Sequence, residues 1–439
     1  MTVAVMTRPL ERQASLPRLL AGPPGHRTLG LLEHEQTHGP LPLPGLRGRA
    51  QRDSAGRLMD VIERSGLTGR GGAGFPTGRK LRSVAAQRGR PVVVANGSDG
   101  EPASAKDRLL LTRSPHLVFD GISLAAYAIG ADRAFLAVHE HESRLVSGLE
   151  AAAAARAAAG LDLVPIEIVG IPGRYVSSEQ SAIVQYLNGG PALPTFAPPP
   201  THERGFDGRP TLVNNAETLA HLALIARHGD QWFRSAGVPG AAGTMLVTVD
   251  GAVARPGVYE IEMGTPIGAV LMTAGGLTER PQAVLTGGYF GTWLPIDIAW
   301  HLPLTHRDVK AAGGALGAGI IVALPDTSCG LAETARVVRY LAGETAGQCG
   351  PCVFGLPTLA DAVADLAYQG DLRAARHIER LTGLVAGRGA CKHPDGVTQL
   401  VLSALMAFAT DVGWHQERGP CYGVRRPPML PVPGDMADW

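Results

Sequence analysis

The stretch Gly69-Arg-Gly-Gly-Ala-Gly-Phe-Pro-Thr-Gly78, followed by Arg79 and Lys80, is the segment around which the chain is organised. Its five glycines in ten residues let the backbone turn tightly and approach a ligand with no Cβ in the way, so that N–H groups converge on a phosphate. Arg70 and Lys80 would supply positive charge. The pattern is not a clean GxGxxG or P-loop motif, since Gly72 interrupts the GxGxxG spacing of Gly69, Gly71 and Gly74, so a glycine-rich surface loop without a ligand stays open as the alternative.

The composition of the 439 residues bounds the class of protein. The 40 Lys and Arg against 39 Asp and Glu give a net charge of +1, which argues against nucleic acid or an anionic membrane surface as the main partner. No apolar run approaches the roughly 20 residues that span a bilayer, and the first residues do not have the pattern of a signal peptide. We therefore expect a cytoplasmic chain with no direct membrane insertion. The five cysteines suit a reducing compartment with metal or redox use.

Only four of the 40 basic residues are lysines, and the chain has only four asparagines. In so biased a composition, residues that escape the bias are candidates for chemistry that arginine or aspartate cannot provide. The asparagines are Asn96, Asn188, Asn214 and Asn215, and turn formation is an adequate alternative at Asn188.

Apolar runs alternate with helical patterns after the glycine loop, which predicts a doubly wound α/β layer with a parallel sheet. We expect strands at 91–96, 134–138 and 161–169, and helices at 80–87, 116–130 and 143–159. Ligands bind such layers at the carboxyl ends of the strands. The glycine loop and the segment after Asn96 lie at that edge.

Three further segments carry polar groups at this edge. In the loop that follows Asn96, Asp99 and Glu101 are placed to accept hydrogen bonds from a ribose or a heteroaromatic ring, although a solvated loop that caps the next helix is an equal alternative. Ser177 or Ser178 is expected to cap a helix with Glu179 in its first turn. The pair Asn214-Asn215 marks a strand-to-helix junction whose amides can both donate and accept hydrogen bonds.

The rest of the chain divides into two regions that differ in their apolar patterns. Short strands around one helix predict a β-grasp domain, and four apolar helical patterns at 331–341, 353–368, 372–385 and 397–410 predict a four-helix bundle. The expected domains are an N-terminal arm (1–60), an α/β domain (61–235), the β-grasp domain (241–325), the helical domain (331–415) and a flexible tail (416–439).

Two joints of the helical domain carry Cys349-Gly-Pro-Cys352 and Cys391. A thioredoxin-type dithiol opens a helix directly after a buried strand, whereas the residues before Cys349 look helical. A CxxC pair with a distant cysteine suits a metal or iron–sulfur site better. Zinc, thiol–disulfide exchange and three ordinary buried cysteines remain alternatives.

Taken in order over residues 66–414, these motifs make the chain resemble the NADH-binding flavoprotein subunit of respiratory complex I and its relatives in soluble hydrogenases and formate dehydrogenases. The resemblance implies a Rossmann-like FMN-binding domain, an SLBB-type β-grasp domain and a helical domain that holds a [4Fe–4S] cluster. It implies an FMN-dependent NADH dehydrogenase that passes electrons to a ferredoxin-like or other redox protein subunit. The chain would be part of a hetero-oligomer, peripheral to a membrane only through a partner.

Site residues follow from the resemblance, position by position. Phe75 would stack on the adenine of NADH, and Glu101 and Glu179 would contact the dinucleotide as catalytic residues. The cluster ligands would be Cys349, Cys352 and Cys391. The residues that would bind the cofactors are Gly69, Arg70, Gly71, Gly72, Lys80, Asn96, Asp99, Tyr175, Gln180, Asn214, Asn215 and Thr218.

The chain departs from the family pattern at the cluster. The family has CxxCxxC, but Ala346 stands at the first cysteine position. Three thiolates are compatible with a [4Fe–4S] cluster that has an open or foreign fourth ligand, with a [3Fe–4S] cluster, or with none. Cys329 and His393 are the candidate replacement ligands.

The dinucleotide side also departs from the family. The loop reads Asn96-Gly-Ser-Asp99 where the family has Asn-Ala-Asp-Glu, and Gln180 stands in place of a glutamate. Ser83 and Pro200 occupy two positions at which the family has aromatic residues that contact the adenine. Because a carboxylate near the ribose repels a 2′-phosphate, we expect weaker NADH binding and less exclusion of NADPH. The alternative function is a degenerate, non-catalytic flavin-binding or scaffold subunit of a redox complex.

Overall fold

A computed structural model describes residues 16–433, except 23–24, 26, 44–47, 197–198 and 371–372. Much of the expected arm and the last six residues of the expected tail therefore lie outside the described residues.

A four-stranded parallel sheet forms the first domain, in the order β3-β2-β1-β4. The strands are β1 (Val92–Asn96), β2 (Arg133–His139), β3 (Ile166–Ile171) and β4 (Thr211–Asn215). The chain moves outward from β1 to β2 and β3, then returns to place β4 on the other side of β1, so the strand order reverses between β1 and β4. Ligands bind at such a switch point. The register sets Asn96 beside Asn215 there.

Eight helices in the described part of this domain surround the sheet. They are α1 (Leu31–His38), α2 (Gly48–Ser65), α3 (Thr77–Ala85), α4 (Lys106–Arg113), α5 (Pro115–Ile129), α6 (Ser143–Ala158), α7 (Gln180–Leu187) and α8 (Ala216–Arg234). Helix α5 is buried over its whole length, because it lies between the sheet and helices α2, α6 and α8. The alternating α/β prediction is confirmed.

The segment that we expected to be an arm contains part of the core. Helix α2 begins at residue 48, and its Ile62 is fully buried, as is Leu19 before it. Both belong to the core cluster around α5 and α8. The expectation of an arm is corrected for these residues: Leu58 and Met59 of the arginine-rich helix α2 pack against the same core, because one apolar stripe is enough to hold a helix whose average composition is polar.

The second domain contains a hairpin and a five-stranded sheet. Its strands are β5 (Gly237–Val238), β6 (Ala241–Ala242), β7 (Thr244–Gly251), β8 (Gly257–Glu262), β9 (Pro281–Thr286), β10 (Thr292–Pro295) and β11 (Ile320–Pro325), with helices α9 (Ile267–Thr273), α10 (Ile296–Ala299) and α11 (His306–Ala311). The sheet order is β10-β9-β11-β7-β8. Its β7 contacts the first domain: the Leu246 N–H donates to Glu217 (2.9 Å), and Thr248 Oγ1 accepts the Ala105 N–H (3.1 Å).

The described residues of 330–418 form five α-helices where four helices were expected, with a π-helical turn (Pro351–Gly355) directly before the second. They are α12 (Gly330–Gly343), α13 (Leu356–Tyr368), α14 (Ala374–Val385), α15 (His393–Ala407) and α16 (Ala409–Arg418). Helix α12 packs on α13 and α15, and α14 packs on the same two helices. A four-helix bundle is thus not confirmed in that form. Among the described residues no single helix is long and apolar enough to cross a membrane; α15 and α16 meet that test only as a pair bent by 77°.

The expected flexible tail is anchored to the rest of the chain at residues 429–431. Leu430 is buried, and the N–H groups of Met429 and Leu430 both donate to the Glu333 carboxylate at 3.0 Å. The Tyr289 hydroxyl donates to the Pro431 carbonyl. These anchors correct the expectation of mobility; a proline-rich segment has no periodicity, so its contacts with distant residues leave no local pattern.

Candidate functional site

The polar residues predicted to bind FMN form one cluster at the switch point between β1 and β4. The side chain of Asn215 donates to the Asn96 carbonyl (3.4 Å), and the Asn96 amide donates to the Ser178 carbonyl (2.9 Å). On the other side, the Arg70 N–H donates to Thr218 Oγ1 (2.9 Å). Strand register and these bonds bring the loop, both strand ends and α8 together.

The glycine loop lies directly against this edge. A Cβ on Gly71 would come within 3.2 Å of Asn215 Cβ, and Gly72 has a φ of +114°, which a larger side chain rarely adopts. The loop closes when the Gly69 N–H donates to the Phe75 carbonyl (2.9 Å), and α3 begins two residues later. The loop is therefore a cradle whose shape depends on the absence of side chains.

The two expected counter-charges have different surroundings. Lys80 Nζ donates to the Val213 carbonyl (2.5 Å) and to Gln180 (3.2 Å), and burial lowers the pKa of Lys80 to about 8. The Arg70 guanidinium donates to Thr68 Oγ1 (2.9 Å) and to the Ala242 carbonyl (3.2 Å), and burial lowers its pKa. Arg70 thus ties the loop to the second domain, whereas Lys80 stays beside the switch point.

A buried charge network lies behind the asparagines. Lys106 Nζ donates to Asp107 (2.9 Å), Glu217 (2.9 Å) and Asn215 Oδ1 (3.3 Å). Burial alone would raise the pKa of Glu217, but Lys106 and His221 lower it to about 2. This network orients the Asn215 amide. The scarcity of lysine was the only sequence signal for it.

The loop after β1 contains a helix cap and a perturbed carboxyl. Asp99 accepts the N–H groups of Asp107 (3.1 Å) and Arg108 (3.0 Å), so it caps α4, which was the alternative for this loop. Glu101 Oε2 accepts the Tyr289 N–H (2.8 Å) and the Tyr175 hydroxyl (3.0 Å). Burial outweighs these bonds and raises the pKa of Glu101 to about 7.

A cavity of about 1210 Å³ lies on the Glu101 side of the site. It is lined by Asp99, Glu101, Arg108, Arg174 and Tyr175, with residues 423–433 of the tail across from them. The sequence analysis did not predict that residues 423–433 of the tail line this cavity.

Two predicted dinucleotide contacts lie outside the lining of this cavity. Phe75 is half exposed, and Arg79 lies 5.9 Å from its ring centroid. Glu179 is the N-cap of α7 and accepts the N–H groups of Ser181 (2.8 Å) and Ala182 (3.2 Å), so neither Ser177 nor Ser178 is the cap.

The residues at the switch point fit FMN. Asn214 Nδ2 and Arg70 Nε are buried and have no hydrogen-bond partner among the described residues. A glycine cradle, carboxamides and one buried lysine are the donor set that a phosphate and a neutral heteroaromatic ring require.

The three predicted cluster cysteines lie near one another. Burial, together with Cys349 and Cys391, raises the pKa of Cys352 to about 12, and burial raises the pKa of Cys391. Among the described residues their three sulfur atoms do not all lie within 4.8 Å of one another. Soft thiolates are the ligands that an iron–sulfur cluster takes.

The two candidate replacement ligands differ in position. His393 Nε2 lies 2.8 Å from the Leu341 carbonyl, and its buried Nδ1 has no partner among the described residues. Cys329 lies instead beside His415 and Cys421.

The chain matches three known domains: the Nuo51 FMN-binding domain over residues 62–224, the SLBB domain over 246–288 and the NADH-ubiquinone oxidoreductase-F iron-sulfur binding region over 332–415. It is 30% identical to an F-type NADH-quinone oxidoreductase subunit of Rhizobium meliloti, over 83% of this chain and 90% of that protein. It is 32% identical to the F-type NADH-quinone oxidoreductase subunit of Streptomyces coelicolor, over 82% of each. A solved NAD⁺-reducing [NiFe]-hydrogenase matches with a TM-score of 0.78 at 30% identity, over 90% of this chain and 68% of that one.

Proposed function

The chain belongs to the family of F-type NADH-quinone oxidoreductase subunits, and on that premise we propose that it oxidises NADH through FMN and passes the electrons through an iron–sulfur cluster to a protein acceptor. The observation that carries the proposal is the cluster of Gly71, Lys80, Asn96, Asn214 and Asn215 at the switch point. When bound, FMN accepts two electrons as hydride and releases them singly, which links a nicotinamide to an iron–sulfur centre.

The residues of the cradle have distinct roles in this proposal. The backbone of Gly71 and Gly72 admits the phosphate, and Lys80 supplies the charge beside it. The Asn214 amide, whose Nδ2 has no partner among the described residues, binds the ring edge, and the Lys106–Glu217 network holds the Asn215 side chain in place beside it.

Glu101 and Tyr175 serve the dinucleotide side. They face the large cavity, and the Tyr175 hydroxyl donates to the carboxylate. A carboxyl with a pKa of about 7 is partly protonated near neutral pH, so Glu101 is a lining residue that can hold or release a proton in this cavity.

Cys349, Cys352 and Cys391 hold the cluster on the helical domain. In this proposal helices α12 to α15 are the four helices of the expected bundle, which position these cysteines. The relatives that the chain matches are named as subunits, and we propose a hetero-oligomer with a ferredoxin-like or other redox protein as acceptor. Any attachment to a membrane would then be peripheral, through that partner.

Absorption and EPR spectra of the anaerobically purified, full-length protein test the proposal. We expect flavin bands that bleach on addition of NADH, followed by a reduced-cluster EPR signal. Flavin without a reducible cluster would contradict the cluster step and leave a diaphorase. A colourless protein that does not take up FMN would overturn the proposal in favour of the scaffold alternative.

We also propose that NADPH is poorly excluded. The Gln180 amide, which stands where the family has a glutamate, is neutral and is bonded to Lys80 and Thr201, so this position offers no charge to repel a 2′-phosphate. Steady-state kinetics with both nucleotides on the FMN-loaded protein are the test. A preference for NADH over NADPH of several orders of magnitude in kcat/KM would contradict this view.

A further inference from the structure

Two cysteines and a histidine that the proposed function does not use meet behind the tail. Cys329 precedes α12, His415 lies on α16, and Cys421 follows α16. Their Sγ, Nε2 and Sγ atoms all lie within 4.8 Å of one another, and among the described residues this is the only group of three such ligand atoms so close. Three chain segments, separated by up to 92 positions, thus present metal ligands to one point.

The spacing matches that of one tetrahedral ion. Zinc–sulfur bonds of about 2.3 Å and zinc–nitrogen bonds of about 2.1 Å place the two ligand atoms roughly 3.6 Å apart at the tetrahedral angle. Cys329 Sγ lies 3.7 Å from His415 Nε2. Little movement of either side chain is therefore needed to bind an ion between them.

The imidazole has the tautomer that a ligand needs. Nδ1 of His415 lies 3.1 Å from the Leu366 carbonyl, which can only accept, so Nδ1 carries the proton and Nε2 has a free lone pair. A histidine that binds a metal commonly donates its other N–H to a carbonyl in this way. Nε2 now accepts the Cys421 N–H (3.1 Å), and metal binding would exchange that hydrogen bond for a metal–nitrogen bond.

The surroundings hold the three residues in place. Cys329 and His415 are almost fully buried, and Cys421 is half-buried, which leaves an entry path on its side. A Cβ on Gly423 would lie 2.7 Å from the Cys329 nitrogen, and one on Gly370 would lie 2.3 Å from the His415 carbonyl oxygen. Close backbone packing therefore fixes the tail and α13 around this point.

We propose that Cys329, His415 and Cys421 bind one zinc ion, separate from the iron–sulfur cysteines, which fastens the tail to the start of α12. Two thiolates and an imidazole are ligands that zinc prefers, and a water or hydroxide would complete the tetrahedron. Binding releases the two thiol protons to solvent, and no electron is transferred. Residues 423–433 line the large cavity, so the ion sets the position of one of its walls.

The test uses the full-length protein with its cofactors. Elemental analysis should find one zinc per chain, and titration with Co²⁺ should give the ligand-field absorption of a tetrahedral thiolate site. Cys421→Ser should abolish both signals and speed tryptic cleavage after Arg425, with the flavin content unchanged as a check of folding. The matched control, Cys349→Ser, should lower the iron content and retain zinc.

Three outcomes would overturn the proposal. They are a wild-type protein that takes up neither Zn²⁺ nor Co²⁺ under reducing conditions, a Cys421→Ser variant that keeps its stoichiometric metal, and a Cys329–Cys421 disulfide in the anaerobically purified protein. His415→Gln, which replaces the imidazole by a carboxamide and keeps both thiols, provides a second variant if Cys421→Ser does not fold. The zinc affinity of this variant should fall. An unchanged affinity would show that the His415 imidazole is not a zinc ligand.

Discussion

Replacing Glu101 by glutamine should stabilise the protein above neutral pH. Burial raises the pKa of this carboxyl from 4.5 to about 7, so the folded state disfavours its ionised form. The Tyr289 N–H and the Tyr175 hydroxyl donate to Glu101 Oε2, and the Ala103 N–H also stabilises the carboxylate, whereas Oε1 is buried and has no hydrogen-bond partner among the described residues. A glutamine can keep the two bonds to Oε2 with its carbonyl oxygen and place its amide nitrogen where Oε1 was, so the main effect is the loss of charge, offset in part by a buried amide without an acceptor.

The size of the effect follows from the pKa difference. At about 1.4 kcal/mol per pKa unit, the ionised carboxylate destabilises the folded state by at most about 3 kcal/mol above pH 7. Between pH 4.5 and 7 the folded state retains a proton that the unfolded chain has lost, so wild-type stability falls as pH rises through this window. The variant loses that slope, and the two proteins converge below the unfolded pKa.

Urea unfolding of the FMN-loaded protein from about pH 4.5 to about pH 8 measures this difference, with the free energy of unfolding compared at each pH. Glu150→Gln, an exposed glutamate on α6, is the matched control and should follow the wild type. The reasoning fails if Glu101→Gln shows the wild-type slope between pH 4.5 and 7, or if it is less stable than wild type above that window.

Three further predictions concern the cofactors. Gly71→Ala should weaken FMN binding about tenfold or more, because its Cβ would lie 3.2 Å from Asn215 Cβ. In the control Gly69→Ala the nearest atom to the new Cβ would lie at 3.7 Å, so FMN affinity should change little. Retention of flavin by the protein during filtration measures both affinities. FMN affinity should fall above pH 8 as Lys80 loses its proton, and titrations of Lys80→Met should show weak, pH-independent binding over that range; a wild-type affinity without this dependence contradicts the role. Ala346→Cys should raise iron content and change the cluster EPR signal, and identical spectra would show that the fourth position is already filled.

Local sequence patterns were enough to predict the parallel sheet of the first domain and the polar residues at the carboxyl ends of its strands. Valines at three successive positions of β1 are buried on both faces, as a central parallel strand requires. Asn96 and Asn215 are the last residues of their strands, so the sheet register places them side by side. These residues were predictable because strand end, helix start and polar side chain all lie within a few positions of sequence.

The features that sequence reasoning missed depend on contacts over long separations. The stripe of α2, the packed tail and the meeting of Cys329 with Cys421 are decided by surfaces that the chain brings together only when it is folded. Arg70 was expected to face a phosphate, but a carbonyl of the second domain lies within reach of its guanidinium. No local pattern records such a partner.

Glu217 has a consequence for how this protein can be recombined with its relatives. It lies on α8, yet one carboxylate oxygen accepts the Leu246 N–H of the neighbouring domain while the other binds Lys106. A chimaera in which a foreign β-grasp module displaced β7 from α8 would leave that oxygen without its backbone donor, beside the Asn215 side chain. Modular exchange between family members should therefore succeed only when the junction carries α8 and β7 together, as one inherited block.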